Sequence, residues 1–149
     1  MMKIFNHKNM TSDEFMSQFH FKKFGKENRS SFSYWYNHWK AFNLVAIYYN
    51  AWKFKYLFHD FEKPWLKLFK DYKEVQRIHR HNNAHHLEYK GAPNYDWDAM
   101  AIDWECSRYT KNAAPLTARQ EARRKITSGH PKSDELKANF FKACDKLGF

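Results

Sequence analysis

The chain is almost free of the residues that interrupt helices, with four glycines and four prolines in 149 positions. The polar/apolar alternation that marks a half-buried strand persists nowhere along it. Aromatic side chains instead recur at three- and four-residue spacing, which puts them on one helix face. An all-α fold follows, a compact helical bundle of about six or seven helices. Aromatics are 19% of the chain and aliphatic side chains are few, so the core of such a bundle rests on Phe, Trp and Tyr, each of which buries a large area. The Trp and Phe stripes are therefore read as core and not as base-stacking platforms. The length suits a single helical domain over 1–149, with its core at about 31–112.

Caps and breakers divide the chain. A first helix is expected over 12–24, with Thr11 and Glu14 as a capping box and Gly25 as its stop. From Phe32 to about Tyr49, Trp35, His38, Trp39, Phe42, Val45 and Tyr49 share a face, so His38 falls on a buried stripe. Further helices are expected over Ala51 to His59, from Pro64 to about His79, and from Tyr95 to Tyr109, where Asp103 lies beside the packing stripe. A turn is expected near Asn82 and Asn83, and Gly91 to Asn94 is a break. The C-terminal helices fall within 115–147: one from Pro115 to about Thr127, and one from Ser133, as N-cap, to Leu147, with Gly148 as its stop.

A net charge of +10 and a pI near 9.6 imply a polyanionic partner, whether nucleic acid, nucleotide or an acidic protein surface. Cys106 and Cys144 are too few and too far apart for a zinc ribbon or a disulfide framework. No apolar run approaches the ~20 residues that cross a bilayer. The expectation is a cytoplasmic protein with reduced thiols, without a processed leader or a membrane partner. The aromatic excess leaves room for an exposed apolar patch and a homo-oligomer.

The chemistry concentrates at His59-Asp60, an imidazole and a carboxylate side by side, with His38 upstream and Asp103 downstream. These four can ligate a divalent transition metal (Mn, Fe, Co, Ni or Zn), which polarises water or a phosphoryl oxygen. Adjacent helical residues point about a hundred degrees apart, so His59 and Asp60 act together only if the helix ends there. Lys63 then projects toward the same place as a point charge for phosphate, and Glu62 is a candidate to orient the attacking water, which makes Asp60, Glu62 and Lys63 the catalytic candidates. His79, His81, His85 and His86 can supply a second ion, or contact phosphate together with Arg77 and Arg80. A solvated polar connection explains that histidine cluster equally well.

The order His38, His59-Asp60, Asp103 resembles that of the HD-domain metal-dependent phosphohydrolases. His59-Asp60-Phe61-Glu62-Lys63-Pro64 looks like their H-D-x-G-K-P type of core, with Glu62 in the place of the usual small residue. The tract His81-Asn82-Asn83-Ala84-His85-His86-Leu87-Glu88-Tyr89, with Asp103-Trp104, looks more specifically like a small bacterial and phage family within or beside that superfamily. The likeness covers roughly 34–130 and implies the HD helical bundle and metal-dependent phosphohydrolysis of a nucleotide or other phosphate ester. The ligands it implies are His38, His59, Asp60 and Asp103, with Lys63, His85 and His86 as further site residues. A phage origin would place the protein in host cytoplasm.

A second class of function is a catalytically inactive bundle that binds nucleic acid or a host protein. Its surface would be the basic face of Arg119, Arg123, Arg124 and Lys125, and its binding would weaken steeply with salt.

Overall fold

Ser31 starts the longest helix. Its hydroxyl accepts from the Tyr34 backbone N–H at 3.1 Å, satisfying one of the donors that a helix start leaves open. The helix that follows is Phe32–Tyr48, and its stretch from Ala41 to Ala46 is buried on all sides, wider than a single aromatic stripe. Asn43 can turn inward there because its amide donates to the carbonyls of Trp39 and Tyr56, at 3.0 and 3.1 Å.

The computed structural model describes residues 9–112 and 116–149. Among them the fold is all-α, with seven helices and no strand. They are α1 (Ser12–Ser17), α2 (Phe32–Tyr48), α3 (Glu62–Leu66), α4 (Tyr72–Asn82), α5 (Trp97–Thr110) and α6 (Ala118–Thr127). The last, α7, opens at Ser133–Glu135, widens into a π-helical turn over Leu136–Phe140 and closes as Phe141–Leu147. Contacts divide the chain into two units, Met1–His59 with Cys106–Pro115, and Asp60–Glu105 with Leu116–Phe149.

In the first unit Phe15 and Met16 of α1 are buried, with the Tyr48 ring 5.4 Å from that of Phe15. An isolated backbone bridge joins Phe24 to the end of α5: Phe24 N–H donates to Thr110 O at 2.8 Å, and Asn112 N–H to Phe24 O at 3.1 Å. In the second unit Ala118, Ala122, Leu136, Phe140 and Cys144 are fully buried, and Trp104 packs 4.6 Å from the Phe140 ring. The buried Glu105 carboxylate accepts from the Ala118 N–H at 2.9 Å, a negative charge at the start of α6 where the helix dipole favours it. Thr117 and Gln120 form a reciprocal capping box there. Both cysteines are buried, and burial pushes the Cys144 thiol up to about 12.

Four boundaries differ from the sequence reading. The first helix ends at Ser17, not at residue 24. His20 turns left-handed, with φ 52°, and the chain then presents both Phe19 and Phe21 to the Lys40 ammonium at 5.6 and 5.7 Å, a pairing that residues two apart on a helix cannot make. Ala51–His59 is not an α-helix: Asn50 is left-handed at φ 55°, and only a short 3-10 turn, Phe54–Phe58, follows. The expected Pro64–His79 helix is broken after Leu66, because Asp71 caps a new start by accepting from Glu74 N–H at 2.9 Å. Ser133 is the first helical residue of α7 and not its cap, since its hydroxyl donates to His130 O at 2.6 Å. The expected start at Pro115 lies outside the described residues, and α6 begins at Ala118.

Phe140 is 0% exposed at the centre of the second unit's packing. Phe140→Ala is expected to cost ~3–5 kcal/mol in denaturant unfolding, against ~1 kcal/mol for removal of the Thr117 cap.

Candidate metal centre

The 3-10 turn ends at His59, and Asp60 then takes a left-handed conformation, with φ 56°. Aspartate tolerates that region better than most residues. The reversal lets α3 start two residues later, with Lys63 N–H donating back to Asp60 O at 3.1 Å. Lys63 Nζ also donates to Asp60 Oδ2 at 3.0 Å, which leaves Oδ1 facing the imidazoles. His79 Nε2 lies 2.9 Å and His85 Nε2 3.2 Å from that oxygen.

Helix α4 supplies His79 on its buried side, one turn after Val75. After the Asn83 C-cap the chain turns back, with His86 N–H donating to Asn83 O at 3.1 Å. Two further backbone bonds hold this loop, Lys90 N–H to His81 O at 3.0 Å and Asp96 N–H to Ala84 O at 2.9 Å. The turn returns His85 and His86 over His79, and the Nε2 atoms of His79 and His86 stand 2.8 Å apart. One ligand atom from each of Asp60, His79, His85 and His86 lies within 4.8 Å of the others. Three imidazoles and a carboxylate at that separation can hold a metal ion.

The electrostatics suit that use. Glu62 Oε1 contacts His79 Nδ1 and accepts from Asn83 Nδ2 at 2.9 Å. Burial works to raise the Glu62 pKa, but the His79 hydrogen bond and charge outweigh it and hold the carboxyl below its ordinary range. Glu62 behind His79 Nδ1 is the carboxylate–histidine arrangement that orients metal-binding imidazoles, and it leaves Nε2 on the side of Asp60 and His86. Burial, reinforced by the neighbouring His85, pushes His86 from 6.5 down to about 2, leaving it in the neutral form that ligates. Lys63 goes the other way: burial lowers its pKa, but Asp60 and Asp103 overcome this and hold the ammonium charged.

Asp103 is buried in the second unit, offers an oxygen within 4.8 Å of one from Asp60, and favours the charged forms of Lys63 and His86. His38 and His59 belong to the first unit, both buried, their Nε2 atoms 3.4 Å apart. His59 stacks on Phe42 at 3.7 Å, and His38 Nδ1 lies 3.8 Å from Cys106 Sγ. The order His38, His59, Asp60, Asp103 thus places two members in each unit.

The phosphate-binding candidates on α4 do not join the imidazoles. Arg77 is exposed and tied to Glu74 at 3.0 Å, Arg80 is exposed, and His81 is half-buried; the solvent side of α4 carries both arginines because its buried side carries Val75 and His79. On α6, Arg119 pairs with Asp145, Arg124 with Glu121 at 2.7 Å and Lys125 with Glu121 at 3.6 Å. Arg123 is exposed, and among the described residues it is the member of that basic face without an ion pair.

The resemblance singled out His85 and His86 and passed over His79, the most deeply buried of the cluster at 0% exposure. Its four-residue spacing from Val75 was the available signal. Glu62, read from sequence as a catalytic group, sits behind His79 as its hydrogen-bond partner. Comparison with protein-family models, curated proteins and solved structures finds no match for this chain.

The low pKa of His86 predicts a pH dependence of the metal-free protein. The unfolded chain takes up this proton near the ordinary value of 6.5 and the folded chain only near 2. The contribution to stability is therefore complete above about pH 6.5 and is lost progressively as the pH falls from there. The His86 imidazole resonances are expected not to titrate between about pH 5 and 8, and His86→Gln is expected to flatten the acid side of the stability curve.

Proposed function

We propose that the chain is a metal-dependent hydrolase of phosphate esters, with nucleotides the substrate class favoured by its net charge of +10. The supporting observation is the approach of His79 and His85 Nε2 to Asp60 Oδ1 in a buried place, with His86 Nε2 2.8 Å from His79 Nε2 and Glu62 behind His79. This mixed nitrogen and oxygen donor set suits Zn, Fe, Co, Ni or Mn, and Asp103 beside Asp60 adds a second carboxylate for another ion. A bound divalent ion supplies Lewis acidity toward a phosphoryl oxygen and water of low pKa.

The protein's own groups then have separate tasks. Asp60, His79, His85 and His86 bind the ion. Lys63 clamps Asp60 Oδ2 and puts a charged ammonium beside the cluster as a point charge for a substrate phosphate. Glu62 positions His79. The HD-like order in the sequence makes His38, His59 and Asp103 the next residues to substitute.

Elemental mass spectrometry of untagged protein purified without chelator is expected to find near-stoichiometric transition metal in the wild type and little in Asp60→Ala or His79→Ala, with nucleotide phosphate release following metal content. Glu62→Gln is expected to weaken metal binding ~10–100-fold; full metal affinity with lost turnover would instead make Glu62 a catalytic base. Absence of metal in the wild type, even after incubation with Mn²⁺ or Fe²⁺, would overturn the hydrolase reading in favour of binding through the basic surface.

A further inference from the structure

Eight of the ten exposed large hydrophobic side chains identified among the described residues fall between Trp52 and Phe69. In the second unit Trp65 is 60%, Leu68 69% and Phe69 86% exposed. They stand on α3 and the turn that closes it. Leu66 O accepts from the N–H groups of both Phe69 and Lys70, at 3.1 and 2.9 Å, so a hydrogen-bonded knuckle presents them. Lys67, Lys70 and Lys73 are exposed along the same segment. In the first unit the same composition recurs by itself, with Phe54 69% and Phe58 56% exposed beside the exposed Lys53 and Lys55.

Large apolar side chains gathered in one exposed segment mark an interaction surface, and the interleaved lysines narrow the partner. We propose that the α3 knuckle, residues 61–73, docks on an anionic lipid surface. Trp65, Leu68 and Phe69 enter the boundary between headgroups and acyl chains, and the lysines meet lipid phosphates, the division of labour of interfacial segments. A nucleic acid fits less well, because Leu68 has no ring to stack on a base. A second copy of the chain would bring three exposed lysines against their equivalents in a protein of net charge +10. No helix among the described residues is long and apolar enough to cross a membrane, so the attachment is peripheral. The sequence-based expectation of no membrane partner rested on the lack of such a span and does not bear on it.

The test is co-sedimentation of the full chain with vesicles of phosphatidylcholine alone and with phosphatidylglycerol at about three parts in ten. Binding is expected to the anionic vesicles and to be at least tenfold weaker to the neutral ones. Leu68→Ser/Phe69→Ser is expected to lose at least tenfold in affinity with an unchanged circular dichroism spectrum. Lys70→Gln/Lys73→Gln is expected to lose about fivefold for each lysine. The proposal is overturned if neither vesicle binds the wild type, or if the serine variant binds as well as the wild type. It also falls if the serine substitutions instead dissociate a wild-type dimer, or abolish oligonucleotide binding, with no vesicle binding seen.

Discussion

His79 has no exposed surface, and both of its ring nitrogens are engaged, Nδ1 by Glu62 and Nε2 by the cluster of Asp60 and His86. A buried imidazole is tolerated only when its polar atoms are satisfied, and here Glu62 meets Nδ1 and His86 meets Nε2. Glu62 reaches it from α3, and Asn83 ties the two together by donating to Glu62 Oε1 and to His79 O at 2.9 and 2.7 Å. Removing the carboxylate behind the ring would leave Nδ1 without its partner and the ring's orientation less firmly held.

The path of the chain between residues 59 and 86 follows from that requirement. A continuous helix through His59, Asp60 and Glu62 would send these side chains in different directions. The left-handed turn at Asp60 breaks the helix, and the short α3 then brings Glu62 and Lys63 back beside α4. Lys63 and Glu62 divide the work around the cluster: one holds the second oxygen of the Asp60 carboxylate, the other the second nitrogen of the His79 imidazole. Trp65, Leu68 and Phe69, on this short helix and the turn after it, stay largely exposed.

Much of this was legible in the sequence, and unevenly. The helices α2 and α5 follow their aromatic spacing to within two residues at either end, the turn after Asn82 was expected, and the all-α class follows from the scarcity of helix breakers. What could not be read is where backbone conformation overrides pattern. His20, Asn50 and Asp60 all turn left-handed without glycine; their residue types tolerate that region better than most, but no pattern marks which of the chain's His, Asn and Asp residues adopt it. The periodic run passes through Asp71, because a single aspartate inside such a run is a weak signal until its capping bond to Glu74 N–H is seen. For the centre, residue type and order pointed to Asp60 and the histidine tract. The selection of His79 and the placement of Glu62 behind it depend on which face of α4 is buried, and one helical turn of spacing from Val75 carried that information.

The claim on which this account stands is that Asp60, His79, His85 and His86 form one metal centre. Titration of the purified protein with Co²⁺, followed by visible absorption, tests it most directly, because cobalt in a nitrogen- and oxygen-ligated protein site gives absorption bands that free aqueous ion does not. A saturable band at one equivalent is expected, and His79→Ala is expected to abolish it while helix content is retained. A wild type without a band, or a band that survives His79→Ala unchanged, would contradict it.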